Sequence, residues 1–162
     1  MRFVNDVNSP DFPCTGIHEL IVRKCVTKVS PSDYNIVICA ANYVAVRLRE
    51  IPPMGSLGSV KQVGSPPAVK FYAEAMKNKS IIKGALCHAL WILTPHPKLL
   101  RGRKMICHTV VLADVVNAGA IYAPKDVLKD TYVVVDGDLV TGRSIADLEP
   151  YFNAMVEATQ KV

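Results

Sequence analysis

Ser80-Ile81-Ile82-Lys83-Gly84-Ala85-Leu86-Cys87-His88-Ala89-Leu90-Trp91 is an apolar run that changes character at a cysteine. The first half reads as a buried strand and the second as the start of a helix. A nucleophile at a strand-to-helix corner sits on a crowded turn, so the positions two before and two after it should be small. Here they are Ala85 and Ala89. His88 sets an imidazole beside the thiol. In this reading the helix N-terminus favours a thiolate at Cys87, and the His88 N–H faces a developing oxyanion.

Outward from this corner the chain alternates strands and helices. Tyr34-Asn35-Ile36-Val37-Ile38-Cys39-Ala40-Ala41 is a continuous apolar strand of the kind covered on both faces. His18 to Val29 is β-branched and predicts an edge or half-buried strand, and Asn42 to Glu50 a short helix. Residues 51–65 hold Pro52, Pro53, Gly55, Gly58 and Gly64 and read as an inserted loop. Gly55-Ser56-Leu57-Gly58-Ser59 lacks the Gly-Lys-Ser/Thr ending of a phosphate loop.

Pro66 to Lys77 predicts a helix with Ala68, Phe71, Tyr72, Ala75 and Met76 on its buried face. A short helix runs from His88 to Thr94, stopped by Pro95 and Pro97. Lys104 to Cys107 is a strand, and Leu112 to Ala118 a helix capped by Gly119. Tyr132 to Thr141 is a hairpin about Asp136-Gly137, expected to turn with two positive φ angles. A last helix, from about Ala146 to Thr159, is expected to bury Leu148, Phe152, Met155 and Val156. The alternation argues for one α/β domain over residues 1–162 with a mostly parallel sheet and an irregular lead-in over 1–16. Sites in such sheets lie at the C-terminal ends of strands, where Cys87 and Ala40-Ala41 fall.

Composition narrows the function. Half of the 162 residues are hydrophobic, and the formal net charge is +5. The basic residues are scattered, the densest cluster being Arg101-Gly102-Arg103-Lys104, which argues against a nucleic-acid partner. No apolar run reaches membrane-spanning length, and the N-terminus turns polar at once, so a cytoplasmic protein is expected. Five cysteines, an odd count without Cys-x-x-Cys spacing, argue against a disulfide framework and a structural zinc site. No metal and no cofactor are called for. Cys107, beside His108 at a strand end, is the second candidate nucleophile. His108 could reach the cleft as a base or serve as a structural histidine. Cys25 and Cys39 read as strand filling, Cys14 as loop, and His96 as an exposed residue.

These segments resemble the ThiJ/PfpI superfamily. Lys83 to Trp91 looks like its Ala-Ile-Cys-His-Gly-Pro-Trp elbow, and Leu99 to Lys104 like its Leu-Leu-Lys-Gly-Arg segment. Leu112 to Ala120 resembles its Asn-Ala-Gly-Ala helix end. Val133 to Arg143 resembles its Val-Val-Asp-Gly-Asn-Leu-Ile-Thr-Ser-Arg hairpin, and Asp33 to Ile38 its Asp-Tyr-Asp-Ala-Leu-Val strand. The resemblance spans about residues 17–157. It implies a flavodoxin-like three-layer sandwich with a C-terminal β-hairpin, usually assembled as a homodimer or larger homo-oligomer.

By position, the resemblance makes Cys87 the nucleophile, His88 its neighbour and His108 a residue near the cleft. Ala40 and Ala41 stand where the family carries Gly-Gly at the oxyanion hole, with Gly84 and Ala89 completing the expected pocket. Glu50 lies where some members place an acid. Nothing in residues 1–16 resembles the family's opening strand–helix–strand unit, so we expect a shortened product or a sheet completed by oligomerisation. The implied function is a cysteine-dependent hydrolase or a glyoxalase- or deglycase-like enzyme acting on a small carbonyl, amide or peptide. The alternative is a non-catalytic redox-sensing or chaperone-like stress protein.

Overall fold

The computed structural model describes residues 24–39, 41, 44–49, 66–125 and 131–161. The lead-in over 1–16, the loop 51–65, Ala40 and Glu50 lie outside the described residues.

Four strands form the main sheet: β1 (Ile36–Cys39), β2 (Ile82–Leu86), β5 (Val133–Asp136) and β6 (Leu139–Gly142), in the order β1-β2-β6-β5. β1 and β6 flank β2 in parallel, with Cys39 beside Ala85 and Leu86 beside Gly142. β5 and β6 form the expected antiparallel hairpin. A separate parallel pair joins β3 (Lys104–Met105) to β4 (Ile121–Tyr122). The sheet is thus mostly parallel, as the continuous apolar strands predict.

Helices cover both faces. Alternate residues of a strand point to opposite faces. Val37, Cys39 and Ala85 therefore pack with α2 (Pro67–Lys77) and α3 (Thr109–Asn117), while Ile82 and Leu86 pack with α4 (Leu148–Thr159). This is the three-layer sandwich expected. A further short helix, α1, spans Val44–Arg47. Prolines 66 and 67 start α2, where a missing N–H costs nothing. Its buried face is Val69, Tyr72, Ala73, Ala75 and Met76, with Phe71 and Ala68 only half-buried. Val69, fully enclosed, contributes about 1.5–3 kcal/mol that the expected stripe omitted.

Four local expectations need correction. The part of the His18–Val29 strand that is described carries a 3-10 turn, Val26–Lys28, closed by the Lys28 N–H to Cys25 carbonyl bond and pairing with no strand. The strand from Lys104 stops at Met105, and the next N–H, of Ile106, donates to the Thr141 hydroxyl on the side facing β6. The hairpin turn is Gly137-Asp138, with only Gly137 in the left-handed region at φ 58, so it belongs with type II′.

The largest change concerns α4. It buries Tyr151, Ala154, Met155 and Ala158, leaving Leu148, Phe152 and Val156 exposed at 39%, 44% and 55%. The cause lies in the facing strands. Gly84 and Gly142 form a bare trough over which the Tyr151 ring lies. A β-carbon on Gly84 would strike the Tyr151 hydroxyl and the Met155 sulfur, and one on Gly142 would meet Leu86 Cδ1 at 2.6 Å. Helical spacing finds the apolar row but not which row the trough accepts.

Candidate active site

Cys87 follows β2 directly and has φ 61, making it the one described residue other than glycine in the left-handed region. That conformation costs about 1–3 kcal/mol and persists only where neighbours hold it. Two backbone bonds do so. The Cys87 N–H donates to the Gly142 carbonyl at 2.9 Å, and the Cys87 carbonyl accepts from the His108 N–H at 3.1 Å. The end of β6 and the start of α3 therefore pin both sides of the residue. Ala85 and Ala89, at 1% and 0% exposure, supply the small neighbours that the corner needs.

The sulfur meets an imidazole. Cys87 Sγ lies 2.9 Å from His88 Nδ1, a hydrogen-bonded pair whose proton sits on either atom according to tautomer and charge. The His88 ring stacks on His108, with centroids 4.6 Å apart and planes 18° from parallel. Trp91 closes on it at 5.2 Å. Trp91 is fixed in turn: its Nε1–H donates to Asp114 Oδ2 at 2.6 Å. Burial lowers the His88 pKa, and the charge of His108 lowers it further, so His88 is neutral at neutral pH and able to accept a proton.

His108 is the N-cap of α3, its Nδ1 accepting from the Val110 N–H at 3.3 Å. The helix begins at Thr109, three residues before the expected start, because this cap comes first. His108 therefore serves both as cap and as neighbour to His88, and its Nδ1 is engaged.

The thiols differ sharply. Burial pushes Cys39 up to about 12, and burial with the neighbouring Cys87 charge does the same for Cys107. Exposed Cys25 is drawn the other way, chiefly by its hydrogen bond with Thr27. The segment after Cys87 is a turn followed by a 3-10 helix, Ala89–Leu93, rather than an α-helix. Five residues of 3-10 helix carry little dipole, so the imidazole, and not a helix terminus, is the group acting on the thiol.

The remaining expected pocket residues are placed as follows. Gly84 is buried in mid-strand beneath Tyr151, a packing position. Ala41 is half-buried against the α4-side cluster. Asp114 was not singled out from sequence. Its signal is tertiary, since it lies 23 positions from the tryptophan it holds. A cavity of about 770 Å³ lies at the other end of β2, lined by Arg103, Asp136, Asp138 and Glu157, away from the thiol. Among the described residues no group of three or more His, Cys, Asp or Glu could hold a metal ion. Nor is any described helix long and apolar enough to cross a membrane.

Residues 14–158 match the DJ-1/PfpI family. No curated protein matches the chain. Among solved structures, it is similar to a two-domain protein of Anabaena variabilis containing DJ-1/ThiJ/PfpI-like and ferritin-like domains. Identity is 26% and the TM-score 0.63, over 82% of this chain and 32% of that one. A variant of Schizosaccharomyces pombe DJ-1 matches at 17% identity and TM-score 0.58, over 87% and 65%. Candida albicans glyoxalase III matches at 18% and 0.60, over 82% and 60%. The chain thus spans less than two thirds of each of these proteins. With nearly its whole length matched, and with the flavodoxin-like fold those structures share, the chain belongs to the DJ-1/PfpI family.

Proposed function

We propose that the protein is a cysteine-dependent enzyme in which Cys87 attacks a small carbonyl compound. The observation that carries this reading is the 2.9 Å contact of Cys87 Sγ with His88 Nδ1 at a corner held in a left-handed conformation. A thiol needs a nearby base to become the nucleophile, and a neutral imidazole at hydrogen-bond distance is one. With a 2-oxoaldehyde, sulfur bonds to the aldehyde carbon while the thiol proton passes to His88 and on to the carbonyl oxygen, giving a hemithioacetal. Moving the proton from that carbon to the adjacent one gives a thioester of the 2-hydroxy acid. Water then releases the acid and returns the thiol.

The fold likeness to a glyoxalase III makes a 2-oxoaldehyde the first substrate to try. The test is turnover of methylglyoxal with alkylation of Cys87 followed in parallel. Loss of turnover in Cys87→Ser, with Cys87 alkylated faster than Cys25, supports the proposal. Full activity in Cys87→Ser would sink it. The alternative, a redox-responsive protein without turnover, is favoured by the same thiol–imidazole pair if peroxide modifies Cys87 selectively and no dicarbonyl is consumed.

The exposed row Leu148, Phe152 and Val156 on α4 is the face on which we expect a second copy to sit. A Phe152→Glu variant that sediments like the wild type would remove that part of the proposal.

A further inference from the structure

The His108 N–H to Cys87 carbonyl bond brings a second thiol to the site. Residue 107 is the chain neighbour of the donor, so covalent geometry places the Cys87 and Cys107 α-carbons within about 8 Å of each other. Disulfides form at separations of about 4.4–6.8 Å, a small backbone adjustment away. Cys107 is 1% exposed and packs in the core cluster with Ala85 and Ala89, on either side of the corner. Cys87 is half-buried and packs against the α4-side cluster, so the bond requires its side chain to turn toward Cys107. Burial raises the Cys107 pKa to about 12, and the charge of Cys87 adds to the rise.

We propose that Cys87 and Cys107 form a reversible disulfide when a small hydroperoxide oxidises Cys87. In the first step the Cys87 sulfur takes the terminal oxygen of the hydroperoxide. The O–O bond breaks, the alcohol or water leaves, and Cys87 becomes a sulfenic acid. In the second step the Cys107 sulfur attacks the Cys87 sulfur and the S–O bond breaks. The Cys107 proton leaves with the hydroxyl as water, with His88 beside the reacting sulfur to pass it. Two thiols are oxidised by two electrons and one hydroperoxide is reduced.

Burial shields Cys107 from the hydroperoxide, so the oxidant meets Cys87 first. The disulfide diverts Cys87 from the irreversible sulfinic acid that a lone cysteine reaches. This inference rests on Cys87 being the reactive thiol of the proposed function.

The test treats the reduced protein with hydrogen peroxide, in a Cys14→Ser/Cys25→Ser background that leaves Cys39, Cys87 and Cys107 as its cysteines. Peptides are then mapped without reductant. The expected result is a cross-linked Cys87–Cys107 peptide, reversed by dithiothreitol. In Cys107→Ser the expected product is sulfinic acid at Cys87, with alkylation of Cys87 by iodoacetamide unchanged. Equal sulfinic acid at Cys87 with and without Cys107, and no cross-link, would overturn the pairing while leaving the nucleophile intact. A cross-link from Cys87 to Cys39 would also overturn it. A Cys87 that neither alkylates nor oxidises would remove both the pairing and the proposed function. The cross-link is read on the native sequence pair, so the inference stands or falls even if Cys107→Ser folds poorly.

Discussion

The imidazoles of His88 and His108 stack 4.6 Å apart, and one of them touches the candidate nucleophile while the other caps a helix. Two histidines in face contact cannot both carry a proton cheaply. Burial is the first cause that holds the His88 pKa below its ordinary value, and the His108 charge lowers it further. Asparagine at 108 preserves an N-cap acceptor and removes the charge. His108→Asn is therefore expected to raise the His88 pKa toward its ordinary value, read from its imidazole resonances in an NMR titration. The rise is partial, because burial is the larger cause. The acid limb of Cys87 alkylation moves up with it. An unmoved His88 titration would refute the electrostatic part of this account.

The same shift fixes a sign for stability. A folded histidine with a lowered pKa takes up its proton later than the unfolded chain as pH falls. His88 therefore costs the fold stability below about pH 6.5 and costs nothing above it. Denaturation at pH 5 and pH 7.5 should show a smaller acid loss in His88→Gln than in the wild type. Equal losses in the two proteins would refute it.

The corner at Cys87 predicts an order among its replacements. Alanine at φ 61 keeps the steric cost that glycine escapes. Cys87→Gly should be more stable than Cys87→Ala by about 1 kcal/mol, although glycine also gains entropy in the unfolded chain. Urea denaturation of the two variants checks this. Alanine proving the more stable would mean that the left-handed conformation carries no strain.

How far the sequence led is clearest at this corner and at α4. The strand before Cys87, the small residues at 85 and 89 and the Gly137 turn are local signals, fixed by residues a few positions apart. The buried face of α4 is not local. Leu148, Phe152 and Val156 are as apolar as Tyr151 and Met155, and only the trough at Gly84 and Gly142, on two other strands, selects between them. Trp91 and Asp114 escape for the same reason. An indole and a carboxylate 23 positions apart become a pair only when α3 lies against the 3-10 turn.

That trough yields a paired prediction. Gly84→Ala places a methyl group against the Tyr151 hydroxyl and should cost about 1–3 kcal/mol. The Tyr151 hydroxyl is buried and has no hydrogen-bond partner, so Tyr151→Phe should leave stability unchanged or raise it by about 1 kcal/mol. In the Tyr151→Phe background Gly84→Ala should cost less, because the first atom the methyl meets is gone. Additive effects in a double-mutant cycle would show that the contact does not set the cost.

The last prediction concerns the far end of β2, where Lys83 is fully buried and ion-paired with Asp138. Lys83 also donates to the Asn78 carbonyl at 2.9 Å, and Arg103 reaches Asp138 at 2.9 Å. Burial alone would push the Asp138 carboxyl up, but the Lys83 hydrogen bond and charge, with Arg103, outweigh it and hold the carboxyl below its ordinary value. Its contribution is thus present above about pH 3.9 and is lost as pH falls through the lower folded value. For Lys83 the balance reverses: burial outweighs Asp138 and lowers its pKa, so the charged lysine is dearer in the fold than in the unfolded chain. Lys83→Met removes one partner and leaves a buried carboxylate with Arg103 alone, a loss of about 3 kcal/mol. Lys83→Met/Asp138→Asn removes both charges and should recover most of that loss, with a shallower fall in stability below pH 4. Urea midpoints at pH 3 and pH 7 decide it. A double variant no more stable than Lys83→Met at pH 7 would mean that the pair contributes packing rather than charge.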